Sequence, residues 1–299
     1  MKYLAIDIGG TNLKFGLVSQ EGIILQRWII PVPANYQDLI QKISEIYNSS
    51  TDILGVGVSS PGIYNLESEK ITGSSALKYL IGKPLKSDLS LKLNTDIAIE
   101  NDGNCALLGE YWQGNCKNSR LSAIYVIGSA VGGSIQINGH ILHGANNNAG
   151  ELGYSLVDNQ PLDDRYGSLG GKIGFKALLE RINKDGYNFQ NGEELFLKSQ
   201  VDRQLENLII NELKYFASSL ITLQYIIDPE VILIGGGVSQ NLYFMDLLKK
   251  ALEQVQGKRS NYKISPVILP AKYGNDANLL GAIFNLVKEI EGEDSRFLS

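Results

Sequence analysis

The stretch LAIDIGGTNLKFGLV, residues 4–18, runs from an apolar strand through Asp7, Gly9, Gly10 and Thr11 to Lys14 and a second strand. As a plain hairpin it uses its paired glycines to turn at positive φ, with Asp7 capping local N–H groups. As a ligand loop it uses them differently: a turn without side chains lets backbone N–H groups close around a phosphate. Asp7 beside such a turn can hold Mg²⁺ through water, because Mg²⁺ keeps much of its hydration. Taken alone, the plain hairpin is the stronger reading.

The pattern returns downstream. Residues 4–25, LAIDIGGTNLKFGLVSQEGIIL, and 123–142, AIYVIGSAVGGSIQINGHIL, each read as strand, Gly/Ser/Thr turn, strand, short polar turn and "IL" strand. A repeat at a spacing of about 120 residues predicts two domains of like fold, each opening on antiparallel hairpins and continuing with parallel strands and helices. Strands are predicted at 3–8, 13–18, 23–30, 53–62 and 95–102, and helices at 34–48, 103–112, 202–227 and 275–290. Asp228-Pro229 stops the long helix, and a strand from 231 leads to Gly235-Gly236-Gly237 and a helix start near Asn241. Residues 155–200 are polar and give no clear elements.

With 299 residues, 43% hydrophobic and 20% charged, the composition is that of a globular protein with a substantial core. A net charge of −5 without a Lys/Arg run argues against nucleic acid. No apolar run approaches the roughly 20 residues that span a bilayer, and no signal peptide is read at the start, so a cytoplasmic location and no membrane partner are expected. Cys105 and Cys116 are too few for a disulfide framework or a structural zinc site and read as small hydrophobes. His140 and His143 read as ordinary loop or strand residues.

Three glycine clusters follow apolar strands: Gly9-Gly10, Gly128-Ser129 with Gly132-Gly133, and Gly235-Gly236-Gly237. Two facing hairpins can hold a triphosphate, and the third turn can accept the nucleoside; neither a P-loop nor a Rossmann fingerprint is present. In IAIENDGNCALLGE, residues 97–110, Glu100, Asn101 and Asp102 sit where a buried strand becomes a helix. Asp102 there can accept a proton from a substrate hydroxyl that Asn101 positions; equally, either residue can be the helix N-cap. HGANNNAGELGYS, residues 143–155, offers amides and Glu151, suited to a polyhydroxy ligand or to a polar surface turn.

On DIGGTNLK, GVSSPG, ENDGNCALLGE, NAGELGY and DPEVILIGGGVS the chain resembles the ROK proteins (repressor, open reading frame, kinase), bacterial sugar kinases, over nearly its whole length. The resemblance implies an α/β, two-domain actin-like ATPase fold (ribonuclease H-like), with mixed sheets flanked by helices and a cleft between the domains. It divides the chain into 1–116, joined by the C-terminal helix, and 117–299. It implies an ATP-dependent kinase acting on a hydroxyl, the 6-OH, of a hexose such as glucose, with ATP and Mg²⁺ as cofactors and sugar and nucleotide as partners. By the same resemblance Asp102 is the general base, and Asn101, Glu151, Tyr154 and Gly62 line the sugar. Asp7, Gly9, Gly10, Thr11 and Lys14 handle Mg²⁺ and the terminal phosphates, with Ser129, Gly132 and Gly133 as the second phosphate loop. Gly235, Gly236 and Gly237 border the nucleoside. Family members are often homodimers.

Departures from the pattern carry their own expectations. Many members have Gly-His after the "GE" motif and a cysteine-rich zinc loop downstream; here the pair is Gly153-Tyr154 and 155–200 holds no Cys. No structural zinc is expected, Tyr154 takes the histidine's place, and the family's second sugar-binding Glu has no counterpart placed here. The similarity is then to zinc-less members from Gram-positive bacteria, which include glucokinases, β-glucoside kinases and N-acetylmannosamine kinases. In IGSAVGGS, Ala130 stands where the family has glycine. If that position needs positive φ, Ala130 costs about 1 kcal/mol or more and weakens the loop. This leaves a non-catalytic, sugar-binding regulator as the alternative; the DNA-binding domain of the family's repressors is not expected, because the first strand begins by residue 3.

Overall fold

The computed structural model describes residues 1–73, 76–159, 167–257 and 264–292. In chain order the elements are β1 (Lys2–Ile8), β2 (Asn12–Ser19), β3 (Ile24–Pro31), α1 (Tyr36–Ser49), β4 (Ile53–Ser60), β5 (Ile63–Asn65), β6 (Lys70–Thr72), α2 (Leu85–Leu93), β7 (Ile97–Asn101) and α3 (Asp102–Gln113). There follow β8 (Leu121–Ile127), β9 (Val131–Ile137), β10 (His140–Ile141), α4 (Leu169–Ile173), α5 (Phe175–Lys184), α6 (Gly192–Ser199) and α7 (Arg203–Ile227). The chain ends with β11 (Val231–Gly235), α8 (Leu242–Gln256), β12 (Ile268–Pro270) and α9 (Ala277–Ile290).

Two compact units result, one of residues 1–118, 135–149 and 275–299 and the other of 119–134 and 150–274. The first is thus larger than the 1–116 block with a C-terminal helix expected from sequence. It also takes in 135–149, because buried His143 bonds to Glu100, and Lys288 of α9 reaches the Gly139 carbonyl at 3.2 Å. That contact lay outside sequence reasoning, which follows chain order.

The first unit is built on a five-stranded sheet of order β3-β2-β1-β4-β7. β1, β2 and β3 are antiparallel; β4 and β7 join parallel to β1. Residues of β1 and β4 are buried along nearly their whole length, as strands covered on both faces must be. α1 buries Tyr36, Leu39 and Ile43 at helical spacing, and Asn35 caps it by accepting from the Asp38 N–H. α9 packs closely because glycines meet it: a Cβ on Gly57, Gly109 or Gly281 would overlap the carbonyl of Ala282, Ala277 or Cys105 respectively. Cys105 and Gly109 are one turn apart on α3, as are Ala277 and Gly281 on α9, so the two helix backbones touch along a short stripe.

A second five-stranded sheet repeats the plan, with order β10-β9-β8-β11-β12 and β11 parallel to both β8 and β12. The echo in the sequence is an echo in strand order. α7 is capped by Asp202 and stopped at Asp228, which takes φ +49, and Asn241 caps α8. The polar 155–200 region, left without elements by sequence reasoning, contains α4, α5 and α6, apart from 160–166, which lie outside the described residues. These helices are short and start at or near glycines, which hid them; Ala177, Leu178 and Ile182 nonetheless form a buried face. Phe175 packs tilted against Phe196, and Phe196 edge-to-face against Phe244, with centroids 6.1 and 5.8 Å apart. Cys105 and Cys116 are buried and form no disulfide, and among the described residues no helix is long and apolar enough to cross a membrane.

Candidate active site

Strand register assembles the first part of the site. Lys14 stands opposite Asp7 across β1–β2, Ser59 beside Asp7 across β1–β4, and Glu100 beside Ser59 across β4–β7. The row lies at the carboxyl ends of the parallel strands, where open α/β sheets bind ligands. Asp7 is buried, and its carboxylate is well occupied. Oδ2 accepts from Lys14 Nζ at 2.8 Å, while Oδ1 accepts from Ser59 Oγ at 2.9 Å and Asn278 Nδ2 at 3.1 Å. Sequence reasoning missed Ser59 and Asn278. The hairpin register could have revealed the Lys14 pairing; nothing local points to Asn278, which arrives on α9.

The β7–α3 turn carries the next group. Asn101 is the N-cap of α3: its Oδ1 accepts from the N–H groups of Gly103 and Asn104 at 2.8 and 3.3 Å, and its Nδ2 donates to the Gly62 carbonyl at 2.9 Å. Gly62, at φ +98, therefore meets Asn101 directly. The cap uses one amide hydrogen of Asn101 and leaves its NH₂ a second donor. Asp102 follows at the first helical position, exposed, with Oδ1 accepting from the Gly103 N–H at 2.8 Å.

Behind this turn the ordinary reading of His143 fails. His143 is 5% exposed, and its Nε2 lies 2.8 Å from Glu100 Oε2. Burial alone would raise the Glu100 pKa, but the His143 bond and charge, with the amides of Asn104 and Asn101, hold it below the usual value. Burial likewise works to lower the His143 pKa, and Glu100 overrides it upward. Each partner thus favours the charged form of the other, a pairing the sequence could not show because 43 residues separate its members.

In the second unit, Ser129, Ala130, Gly153, Tyr154 and Lys176 line one pocket of about 310 Å³. Ser129 is exposed at the β8–β9 turn and Tyr154 is 72% exposed. Glu151 is half-buried, and burial raises its pKa. A second pocket of about 390 Å³ is lined by Gly128, Gly237, Val238 and Asn241 together with Phe175, Gly192, Glu193 and Phe196. The α5–α6 residues of that wall came from the region sequence reasoning left blank. Among the described residues no group of three or more His, Cys, Asp or Glu forms a metal cluster.

Two expectations about backbone are corrected. Neither Gly9 nor Gly10 has positive φ; Gly9 is required instead because a Cβ there would stand 2.9 Å from the Asn12 carbonyl oxygen, which its N–H meets. Ala130 is also outside the positive-φ residues, so its Cβ carries no backbone strain. Gly133, Gly235 and Gly236 are likewise held by close neighbours. Gly10, Gly128, Gly132 and Gly237 are not: an added Cβ would find nothing closer than 3.4 Å, and the fold does not ask for glycine there.

Matched mixed sheets, each opening on a glycine hairpin, define an actin-like ATPase fold. The chain belongs to the ROK family, whose model matches residues 3–290. It is 32% identical to a β-glucoside kinase of Listeria monocytogenes, over 97% of this chain and 98% of that one. It is 26% identical to a glucokinase of Halalkalibacterium halodurans, over 97% and 96% of the two chains. A ROK family protein from Streptococcus pneumoniae, solved with sucrose, superposes with TM-score 0.88 at 31% identity, over 98% of this chain and all of that one.

Proposed function

We propose that the chain is an ATP-dependent sugar kinase that transfers the γ-phosphoryl group to a hexose hydroxyl, the 6-OH. One observation carries the chemistry: Asp102 is an exposed carboxylate at a strand end, set on a helix start whose neighbours Glu100 and Asn101 are tied down by hydrogen bonds. Asp102 takes the hydroxyl proton as the sugar oxygen attacks the γ-phosphorus and the bond to the ADP oxygen breaks. Asn101, beside Gly62, orients the sugar with its remaining amide hydrogen. The relatives named β-glucoside kinase bring β-glucosides into the acceptor class alongside glucose.

The glycine loops take the nucleotide. The aromatic wall of Phe175 and Phe196 suits a base, with Gly237 beside it. Gly10, Gly128 and Gly132 leave backbone open to phosphate oxygens, a reason for glycine that the fold itself does not supply. Asp7 fits a hydrated Mg²⁺ rather than a directly ligated one. Three donors already use three of its roughly four lone-pair sites, and the Lys14 ammonium stands 2.8 Å away, so the place left is for a water of the ion's shell. Mg²⁺ held there would offset charge on the transferring phosphoryl group. The regulator alternative rested on strain at Ala130, which the ordinary backbone there removes.

The reading is tested by ATP consumption across glucose, cellobiose, N-acetylmannosamine and fructose. Turnover is expected with at least one; measurable sugar binding without turnover would sink it. A second test isolates the loops. Gly10→Ala should leave thermal stability unchanged or raise it by up to about 1 kcal/mol, since the alanine conformation is compatible. The same change should raise the KM for ATP by about tenfold; an unchanged KM would remove Gly10 from the phosphate site.

A further inference from the structure

We propose that His143 and Glu100 form a positioning pair that fixes the Asn101–Asp102 turn for phosphoryl transfer. The proposal rests on the sugar-kinase reading above. Glu100 Oε1 accepts from the Asn101 backbone N–H at 2.6 Å and from Asn104 Nδ2 at 2.9 Å, so one carboxylate oxygen grips both flanks of Asp102. Its other oxygen is held by His143 at 2.8 Å. Both partners are 5% exposed. A carboxylate that deep stays ionised only with a partner; without one it protonates or swings out, and either change disturbs the grip on the turn.

A purely stabilising role explains the pair poorly. Buried ion pairs commonly contribute little net stability against apolar replacements of similar size, because desolvation offsets the attraction. Position is what this one supplies. Its members come from β7 and from the loop after β10, so the turn is referenced to a second piece of backbone: the Ala149 N–H donates to the His143 carbonyl at 3.0 Å and fixes that loop. Neither His143 nor Glu100 touches the reacting atoms in this account; both act through Asn101 and Asp102.

The experiment compares His143→Leu with His143→Gln in the full chain. Gln places an amide donor near the position of Nε2 and keeps the bond to Glu100; Leu removes it. His143→Leu should lower kcat about 10–100-fold, the range expected when a reacting group is misplaced by around 1 Å, with the KM for ATP unchanged. Hydrogen exchange of the Asn101 N–H should speed up in the same variant, and His143→Gln should restore both toward wild type. If the Leu variant fails to fold, His143→Asn, too short to reach Glu100, is expected to show the same losses. Wild-type kcat in the Leu or Asn variant, unchanged Asn101 exchange, or equal impairment by Gln and Leu would overturn the proposal. Wild-type protein inactive on every sugar would instead sink the kinase reading, and the Asn101 exchange would then judge the pair by itself.

Discussion

Asp102→Asn should abolish sugar-dependent ATP consumption, with a loss of about 10²–10⁴-fold in kcat, the usual contribution of a positioned general base. The change is nearly isosteric. Asn can still accept from the Gly103 N–H through its Oδ1, as Asp102 does at 2.8 Å, and Asn101 rather than Asp102 caps the helix. The melting temperature should therefore stay within a degree or two, and sugar binding measured by calorimetry should persist. The proton acceptor is lost. Full activity in this variant would remove Asp102 from the role of base. A matching drop in thermal stability would show that its carboxylate serves the fold.

Gly281→Val should strike the fold itself. Any side chain at 281 overlaps the Cys105 carbonyl, and the obstacle is helix backbone, which cannot rotate away as a side-chain tip would. Separating α9 from α3 also opens the matching contact of Gly109 with the Ala277 carbonyl and disturbs the buried Leu279, Leu280 and Ile283. Overpacking of this kind costs roughly 3 kcal/mol or more. For a chain of this size that corresponds to roughly 6–12 °C in Tm. Activity should fall with it, since α3 carries Asp102 at its head and α9 carries Asn278, which bonds to Asp7. Unchanged Tm by calorimetry or circular dichroism would mean that the two helices are not in backbone contact.

Much of the candidate site was legible because it sits at punctuation marks. Strand ends, helix caps and glycine turns each have a short-range chemical signature, so Asp7, Asn101, Asp102 and the three glycine clusters stood out, as did the stop at Asp228-Pro229 and the helix start near Asn241. Competition between readings at those marks was harder. Asn101 proved to be a cap that also keeps an amide hydrogen to offer, two roles that a sequence presents as alternatives. The paired glycines of the first hairpin divide: Gly9 answers to the Asn12 carbonyl, while a Cβ on Gly10 would make only an ordinary contact with Ala76, at 3.4 Å. That division depends on where neighbouring backbone lies, and no pattern in DIGGTNLK encodes it.

The sequence by itself determined most of the alternation of strands and helices and the repeat of one sheet plan in two halves, which follow from local propensity and hydrophobic periodicity acting over a few residues at a time. The family came from the resemblance of whole motifs such as DIGGTNLK and ENDGNCALLGE. Tertiary structure alone decided which groups share a neighbourhood. It placed Asn278 on Asp7 and His143 on Glu100, and joined residues 135–149 to the first unit. It also made Ala130 an unstrained residue. The physical reason is distance along the chain: hydrogen bonds and ion pairs act over about 3 Å, and only folding brings residues 43 or 271 positions apart within that reach.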